Sequence, residues 1–357
     1  MRDSDRYDRQ IILPGFGEAT QESLKKARVL VIGAGGLGSA LIPALAAAGV
    51  GQLTIVDDDR VETSNLHRQV VHGTDDIGKP KVASAAASIH ALNPEVSVET
   101  VTERLTSANA LELFARHDLV IDGSDNFPTR YLADDAAALC GIPLVWGAVS
   151  QYGGQVGVSW PESGPSYRDL FPVPPRPGAV LSCAEGGVFP TTVAVIGSLM
   201  ATEALKVLTG VGSPLIGRVI IFDGLTARFR ELEYARDPHA EPITELIDYD
   251  VFCGIIPTVA PAELAGIPMS EITLLDVREP WEADVASLPG SVLVPLATLD
   301  AAADNLDRSK PVVVYCHLGI RSQSACELLM AKGFDARHLE GGIDAWSRQV
   351  DTTMARY

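Results

Sequence analysis

The chain has 357 residues, of which 46% are hydrophobic and 21% charged. This composition is typical of a globular protein of two or three domains and excludes collagen-like, coiled-coil and disordered proteins. Lys and Arg total 28 against 46 Asp and Glu, for a formal charge of -18. Because such a surface repels polyanions, we expect no direct nucleic-acid partner.

The N-terminal segment 1–10 is charged and has no apolar signal region, so we expect a cytoplasmic protein. Residues 29–56 carry no charge, and this stretch is long enough to span a bilayer. They divide, however, into a β-type run, a glycine cluster, an Ala-rich helical run and a second β-type run. We therefore expect no membrane association. Five cysteines without a C-x-x-C pair predict individual thiols.

The first part of the chain alternates β-type runs with helical stretches. The β-type runs are at 29–32, 53–56, 96–101, 119–121 and 144–146. This alternation predicts an α/β domain with a Rossmann-like, doubly wound sheet. Residues 161–182 contain six prolines and predict a long loop with neither helix nor strand. A helical run at 191–208 and a strand at 218–222 follow.

A mixed acidic and Pro-containing stretch at 233–258 predicts a domain boundary. We place a first domain at 1–245, a linker at 246–258 and a second domain at 259–357. The second domain has predicted strands at 274–277, 292–294 and 312–315, and predicted helices at 261–265 and 321–332. These short elements predict a small, separate α/β domain.

Gly33, Gly35 and Gly38 form a G-x-G-x-x-G motif directly after a predicted strand and at a helix start. Glycine permits the tight turn, and the helix N-terminus offers N–H groups to a phosphate. Asp57 ends the next strand, where a carboxylate suits ribose hydroxyls. Taken alone, this motif fits an NAD site as well as any other nucleotide site.

The residues that follow favour a triphosphate. Arg68, Lys79 and Lys81 come shortly after Asp57, and Asp125 follows another strand end. Cations suit a triphosphate or its leaving pyrophosphate, and a carboxylate suits Mg²⁺ between phosphate oxygens, whereas a dehydrogenase needs neither. Each residue singly has a plainer interpretation, as a solvated surface charge or a turn or helix cap.

Several segments occur together in a specific order. They are R-Y-D-R-Q at 6–10, P-G at 14–15, the glycine motif, Asp57, S-N-L-H-R-Q at 64–69, G-K-P-K at 78–81, D-N at 125–126 and C-A-E-G-G at 183–187. In this order they resemble the MoeB/ThiF-type adenylyltransferases, relatives of ubiquitin-activating enzymes, over about residues 5–232. The resemblance implies that ATP and Mg²⁺ bind here and that the C-terminal Gly-Gly carboxylate of a ubiquitin-like sulfur carrier attacks the α-phosphate.

The resemblance also implies roles for single residues. Asp125 would handle Mg²⁺, Arg68 and Lys81 would stabilise the phosphates, and Arg9 would come from the other subunit of a homodimer. The remaining residues expected in the nucleotide pocket are Ser64, Asn65 and Asn126.

Cys183 ends the proline-rich stretch and lies before a glycine pair. Its position alone fits an activated thiol and a small buried residue equally. By resemblance, it matches the cysteine that accepts the carrier as a thioester or resolves a disulfide. Many family members hold zinc through two C-x-x-C pairs, but Ser166 and Asp169 occupy the first pair's positions here, and Cys253 is the only cysteine between Phe222 and the second domain. We expect no structural zinc.

Near the C-terminus, Cys316 ends a predicted strand and Arg321 starts a helix, with Gly319 between them. Inward-pointing N–H groups and a nearby cation favour a thiolate, which predicts a cradle for a persulfide. Residues 259–350 resemble single-domain rhodaneses, and the six-residue loop favours sulfur over the bulkier phosphate. Cys326, on the following helix, is predicted to pack in the core.

Together these features predict an ATP-dependent adenylyltransferase and sulfurtransferase that makes a carrier thiocarboxylate, similar to the MoeB/MoeZ type with a rhodanese tail. The expected partners are a MoaD/ThiS-type carrier and a sulfur donor, either thiosulfate or a cysteine desulfurase. The alternatives are an adenylating enzyme for carrier conjugation or tRNA modification, an NAD-dependent dehydrogenase and a non-catalytic scaffold. Molybdopterin, thiamine, cysteine and tRNA-thiolation pathways all remain open.

Overall fold

The computed structural model describes residues 4–175, 179–180 and 183–357, without the side chains of residues 4, 5, 183 and 184. The chain forms two compact units, Met1–Tyr249 and Asp250–Tyr357. Each unit has its own apolar core.

The first unit is built on one mixed sheet. Within the described residues its strands are β1 (Arg28–Ile32), β2 (Gln52–Val56), β3 (Ser97–Val101), β4 (Leu119–Asp122), β5 (Leu144–Ser150), β6 (Gly153–Ser159), β7 (Arg218–Asp223) and β8 (Arg228–Glu233). Their order is β3-β2-β1-β4-β5-β6-β7-β8. The strands from β3 to β5 are parallel, and the remaining neighbours are antiparallel. The predicted doubly wound sheet is confirmed.

The sequence pattern did not predict β6 and β8. β6 contains three glycines, which have low β-propensity. Every residue of β8 is exposed, so this edge strand has no buried face and no alternating apolar pattern. The pattern therefore did not reveal the strands of this sheet that are rich in glycine or exposed along their whole length.

Helices cover both faces of this sheet. Within the described residues they are α1 (Ser4–Ile11), α2 (Gly17–Lys26), α3 (Gly36–Ala48), α4 (Lys81–Leu92), α5 (Ala110–Ala115), α6 (Phe127–Cys140), α7 (Tyr167–Leu170), α8 (Cys183–Gly186) and α9 (Pro190–Thr209). α9 is long and apolar enough to span a bilayer. Its residues Val193, Ile196 and Met200, however, lie in the apolar core of this unit. α9 is therefore the core helix that packs against α3 and the sheet.

The short helix α7 corrects the prediction that the proline-rich stretch contains no helix. α7 occupies the gap between Pro165 and Pro172. The carboxylate of Asp134, on α6, accepts hydrogen bonds from the N–H groups of Tyr167 (3.0 Å) and Arg168 (3.2 Å). Burial raises the pKa of Asp134 to about 6. This distant carboxylate caps the helix together with the local Ser166–Asp169 capping box, and only the capping box is visible in the local sequence.

The second unit has a smaller sheet in which all pairs are parallel. Within the described residues its strands, in the sheet order β11-β10-β12-β13-β9, are β11 (Val292–Leu293), β10 (Thr273–Asp276), β12 (Val312–Tyr315), β13 (Ala336–Leu339) and β9 (Thr258–Val259). Its helices are α11 (Pro261–Gly266), α12 (Pro280–Val285), α13 (Leu296–Ala302), α14 (Ile320–Ala331) and α15 (Gly342–Gln349). The predicted small α/β domain is confirmed.

The predicted linker 246–258 contains ordered elements. Helix α10 (Tyr249–Phe252) lies within it, and β9 begins at its last residue. The Tyr249 hydroxyl donates to Asp135 at 2.6 Å, and Asp135 also forms an ion pair with Arg168 at 2.6 Å. Tyr249 is therefore part of the first unit, whereas the boundaries of the functional domains stay a prediction.

Gly51, at the junction between α3 and β2, provides a test of this packing. A Cβ at Gly51 would overlap the carbonyl oxygen of Lys25, a main-chain atom that cannot move aside. We expect Gly51→Ala to reduce the free energy of unfolding by about 3 kcal/mol in urea titrations. Gly153→Ala is the control, because its Cβ would meet no atom closer than 3.6 Å. Equal stability of the two variants would contradict this expectation.

Candidate active sites

The glycine loop follows β1 and leads into α3. Gly33 has a φ of +91°, which glycine adopts without strain. A Cβ at Gly38 would overlap the carbonyl oxygen of Gly33, and a Cβ at Gly36 would lie 2.7 Å from Val193. Because these glycines carry no side chains, a ligand can approach the backbone and the first N–H groups of α3. A Cβ at Gly35 would lie 3.6 Å from the side-chain amide nitrogen of Gln69, so this position is more open than the other two.

Asp57 lies directly after β2 and contacts the glycine loop. Its Oδ2 accepts a hydrogen bond from Ala34 N at 2.8 Å, and its Oδ1 accepts one from Asp59 N at 2.9 Å. Burial raises the pKa of Asp57, while the charge of Lys81 and these two N–H groups oppose that rise. The carboxylate is thus oriented at the sheet edge where the sequence predicts a ribose contact.

The two lysines of the predicted phosphate site have different environments. Lys81 is the first residue of α4, and its side chain is only 7% exposed. Its Nζ lies 2.6 Å from Asp59 Oδ2. Lys79 is 56% exposed and forms an ion pair with Asp76 at 2.9 Å. The surface-charge interpretation therefore describes Lys79, whereas Lys81 lies inside the site.

Arg68 lies beside the N-terminus of α3. Its Nη1 donates to Ser64 O at 3.2 Å. Its aliphatic stem comes within 3.9 Å of a Cβ position at Gly36. Asn65 ends the short 3₁₀ turn Thr63–Asn65, and its Oδ1 accepts a hydrogen bond from Glu62 N at 3.3 Å. The turn thus orients Ser64 and Asn65 and leads into Arg68, which lies against the glycine loop.

Asp125 and Asn126 follow β4 at the same sheet edge. Gly123, just before them, donates from its N to Ile32 O at 2.8 Å, which places this turn against the glycine loop. The Asn126 Oδ1 caps α6 by accepting from Thr129 N at 2.9 Å. Asp125 is exposed, and within the described residues no hydrogen-bond or ion-pair partner is recorded for its carboxylate. Its oxygens are therefore accessible to a hard cation.

Arg9 lies on the first helix of the chain. α1 is held by Tyr7, whose hydroxyl accepts from Asn93 at 2.8 Å, and by Gln10, which donates to Gln21 at 2.8 Å. Arg9, between them, is exposed. Helix α8 begins at Cys183, whose side chain lies outside the described atoms.

Ser166 and Asp169, at the positions of the first zinc pair, form direct hydrogen bonds. The Asp169 carboxylate accepts from Ser166 N at 2.7 Å and from Asp237 N at 2.8 Å. These bonds connect the start of the proline-rich stretch to the segment after β8. Across the described part of the chain, the group of acidic, His or Cys residues close enough together to hold a metal ion is Asp57, Asp58 and Asp59.

In the second unit, Cys316 directly follows β12 and is buried. Gly319 has a φ of +101°, and its N–H donates to Cys316 Sγ at 3.2 Å. Ser322 Oγ lies 3.5 Å from the same sulfur and donates to Gly319 O. The predicted cradle geometry is present at this loop. Burial raises the pKa of Cys326 to about 12, as expected for a packing residue.

Arg321 ends this loop, and its guanidinium forms an ion pair with Glu282 on α12. Nη1 donates to Oε2 at 2.6 Å and Nη2 to Oε1 at 2.7 Å. The Arg321 guanidinium lowers the pKa of Glu282 to about 2. The positive charge predicted beside the sulfur is thus held in one plane by a carboxylate that the sequence pattern did not reveal.

A match to the ThiF family model covers residues 7–242, and a match to the rhodanese-like domain model covers residues 261–349. The chain belongs to the ThiF family. It is an enzyme that joins a ThiF-family adenylyltransferase region to a rhodanese-like sulfurtransferase domain.

Its curated relatives agree with this assignment. It is 44% identical to the probable adenylyltransferase/sulfurtransferase MoeZ of Mycobacterium tuberculosis, covering 99% of this chain and 95% of the relative. It is 55% identical to the sulfur carrier protein adenylyltransferase of Thermus thermophilus, over 70% of this chain and 97% of the relative. It is 38% identical to the adenylyltransferase and sulfurtransferase MOCS3 of Drosophila virilis, covering 99% and 86%.

Solved structures share the ThiF-family fold. PaaA is 27% identical, with a TM-score of 0.56 over 66% of this chain and 74% of that chain. Escherichia coli MccB with ATP is 21% identical, with a TM-score of 0.58 over 67% of this chain and 74% of the MccB chain. The MccB likeness supports the fold of the first unit.

Sequence patterns assigned no individual role to three buried polar residues around the glycine loop and the turn after β4. Gln69 is buried beside Gly35, and its Oε1 has no hydrogen-bond partner among the described residues. The His72 ring lies 2.9 Å from Ala34 O, and burial lowers its pKa. Arg130 is buried against Asp122 at 3.4 Å. All three lie in or just beyond the motif segments, but only packing shows that they are buried.

The Glu282–Arg321 pair makes stability depend on pH. The pKa of Glu282 is lowered from 4.5 to about 2 on folding, so the pair stabilises the native state above pH 4.5 and loses its effect as pH falls towards 2. We expect Glu282→Gln to destabilise the second unit by about 3 kcal/mol near neutral pH. The difference from the unsubstituted protein should shrink below about pH 5, as measured by urea titration.

The control for this experiment is Asp284→Asn, which removes an exposed carboxylate from the same helix. It should change stability by less than about 0.5 kcal/mol. A Glu282→Gln effect that stayed constant with pH would show that the ion pair does not stabilise the fold.

Proposed function

We propose that this enzyme adenylates the C-terminal glycine of a ubiquitin-like sulfur carrier of the MoaD/ThiS type and converts it into a thiocarboxylate. The proposal rests on one arrangement of charges: Asp57 and Arg68 lie against the glycine loop, the charge of Lys81 acts on Asp57, and the turn that carries Asp125 begins at Gly123, against the same loop. The same chain also has the Cys316 sulfur cradle. The names of the Thermus thermophilus and Mycobacterium tuberculosis relatives support both halves of the proposal.

The glycine loop fits ATP. Its side-chain-free backbone and the N-terminus of α3 receive the phosphates, and Asp57 accepts hydrogen bonds from the ribose. Arg68 and Lys81 stabilise the negative charge that develops as the carrier carboxylate attacks the α-phosphorus. A carboxylate–phosphorus bond forms, the bond to pyrophosphate breaks, and a carrier acyl-adenylate results.

The exposed oxygens of Asp125 fit Mg²⁺, which prefers carboxylate ligands and retains several waters. When bound, Mg²⁺ would neutralise charge on the phosphate oxygens. Asn126 keeps this turn in place because it caps α6.

The sulfur step uses Cys316 as a persulfide. Its terminal sulfur attacks the acyl-adenylate carbonyl, a carbon–sulfur bond forms and AMP leaves. The resulting acyl disulfide is opened by a thiol, which releases the thiocarboxylate and leaves a disulfide for a dithiol reductant. Cys183 is the candidate thiol, and a thioester at Cys183 is the alternative.

We further propose a cytoplasmic homodimer in which Arg9 completes the partner's site, since α1 presents Arg9 on the surface. Thiosulfate or a cysteine desulfurase supplies the sulfur, and no structural zinc is required.

The adenylyltransferase domain spans 1–245 and the rhodanese domain 259–357, joined by 246–258, which the matched ranges 7–242 and 261–349 support. The carrier belongs to molybdenum cofactor, thiamine or cysteine biosynthesis, or to tRNA thiolation.

The two chemical steps are separable by substitution. Cys316→Ala should reduce sulfur transfer from thiosulfate at least about 100-fold and leave carrier-dependent ATP–pyrophosphate exchange intact. Asp125→Ala should do the reverse, because it removes only the cation ligand. Cys326→Ala, at a buried packing thiol, is the matched cysteine control. Loss of both activities in both variants would refute this division of labour.

The product is tested by intact mass spectrometry of a Gly-Gly-ended carrier incubated with the enzyme, Mg-ATP and thiosulfate. We expect an ATP-dependent mass increase equal to replacement of one oxygen by sulfur. An adenylated carrier without sulfur would instead support an enzyme for carrier conjugation. Carriers that stay unchanged would contradict the proposal.

A further inference from the structure

The segment after α15 brings the side chain of Tyr357 to the sulfur loop. Met354 packs against the apolar core of the second unit. Arg356 follows it and donates from Nη2 to Asp344 Oδ1 at 3.0 Å. Tyr357 then lies against α12 and the loop that follows β12, and 39% of it is exposed. The side chain is therefore placed by contacts on both sides of its own segment.

The Tyr357 hydroxyl connects two charged side chains. It accepts a hydrogen bond from Arg278 Nη1 at 2.7 Å and donates one to Glu282 Oε1 at 3.0 Å. Arg278 is fully buried and forms an ion pair with Asp276 at 2.6 Å, so this donor has little freedom to move. Since Arg278 can only donate and the ionised Glu282 can only accept, the direction of both bonds is determined.

Through Glu282, this hydroxyl acts on the end of the sulfur loop. Both carboxylate oxygens of Glu282 accept from Arg321, and Oε1 accepts from Tyr357 as well. Oε2 also accepts from Glu279 N at 3.0 Å, so four donor bonds orient this carboxylate, which sets the plane of the Arg321 guanidinium. Loss of the hydroxyl would leave Oε1 with Arg321 as its one remaining donor among the described residues and would weaken the hold on that plane.

The Tyr357 ring acts on the start of the same loop. It stacks on His317, the residue after Cys316, with ring centroids 4.3 Å apart and an angle of 24° between planes. On the other side of the loop, Ile343 N donates to Cys316 O at 2.9 Å. A Cβ at Gly342 would overlap the carbonyl oxygens of Cys316 and His317. The loop backbone is therefore enclosed between the start of α15 and the Tyr357 ring.

We propose that Tyr357 is a positioning residue for sulfur transfer at Cys316. It does not contact the sulfur. It holds His317 by stacking and Arg321 through Glu282, so that the Gly319 N–H and the Arg321 charge keep their places around the sulfur. The proposal concerns the sulfurtransferase activity of the rhodanese-like domain and is independent of the carrier.

The reaction to be measured is persulfide formation. The Cys316 thiolate attacks the sulfane sulfur of thiosulfate, a sulfur–sulfur bond forms, the donor's sulfur–sulfur bond breaks, and sulfite leaves with the electron pair. With a low-molecular-weight organic persulfide as donor, the leaving group is the donor thiolate. The single-turnover rate with each donor is followed by intact mass, and steady-state kcat and KM are measured with thiosulfate and cyanide.

Two substitutions separate the contributions of the hydroxyl and the ring. Tyr357→Phe keeps the stacking on His317 and removes only the hydroxyl, so we expect the single-turnover rate and kcat to fall about three- to tenfold, with KM for thiosulfate changed less. Tyr357→Ala should lower the rate further, because it also removes the ring contact. Carrier-dependent ATP–pyrophosphate exchange should not change in either variant, which separates this proposal from that of carrier adenylation.

A double-mutant cycle tests whether the hydroxyl acts through Glu282. If it does, adding Tyr357→Phe to the Glu282→Gln variant should lower the rate of that variant by less than about twofold. Arg356→Gln is the matched control, because it removes another contact of the same segment without touching the loop. It should retain the full rate.

Three results would overturn the proposal. The first is a rate for both Tyr357→Phe and Tyr357→Ala that equals the rate of the unsubstituted protein. The second is a loss of rate from Tyr357→Phe that is the same in the Glu282→Gln background as in the unsubstituted protein. The third is a loss of rate in Arg356→Gln as large as that in Tyr357→Phe. Thermal melting of each variant identifies those that fail to fold. If Tyr357→Ala is among them, the rate of Tyr357→Phe, the most conservative change, decides whether the proposal holds.

Discussion

Close approach of backbone turns at the carboxyl ends of β1, β2 and β4 is the constraint on which the first site depends. A Cβ at Gly33 would lie 3.0 Å from the carbonyl oxygen of Gly123, and Gly123 N donates back to the end of β1. These contacts exclude side chains between the turns. Asp57 and Asp125, on different turns, consequently share one edge of the sheet with the N-terminus of α3.

Buried carboxylates connect segments that are distant in sequence. Asp134 caps α7 across the fold, Asp135 joins Arg168 to Tyr249, and Glu282 holds Arg321. Burying a carboxylate costs solvation energy, and each of these residues accepts hydrogen bonds from two or more donors, which offset part of that cost. Part of the acidic excess of the chain is therefore structural, and these contacts place the elements around both reactive sites.

The sequence predicted the strands that carry an apolar run or apolar alternation, and most of them are buried. Parallel strands such as β1 and β4 lie under helices, so their apolar runs are visible in the sequence. Strand β8 is exposed along its whole length, and β6 is interrupted by glycines. These elements form because of their neighbours, and local patterns contain little information about them.

The sequence by itself determined the two α/β units, the glycine loop with Asp57 and the Cys316 loop, because strand periodicity, glycine turns and strand ends are local properties. Only the tertiary structure decided which charges belong to the sites. Lys81 is enclosed while Lys79 is exposed, Arg321 is paired with Glu282, and the Tyr357 hydroxyl lies on that pair. Such contacts join residues far apart in the chain, so they exist only once packing has fixed the distances between them.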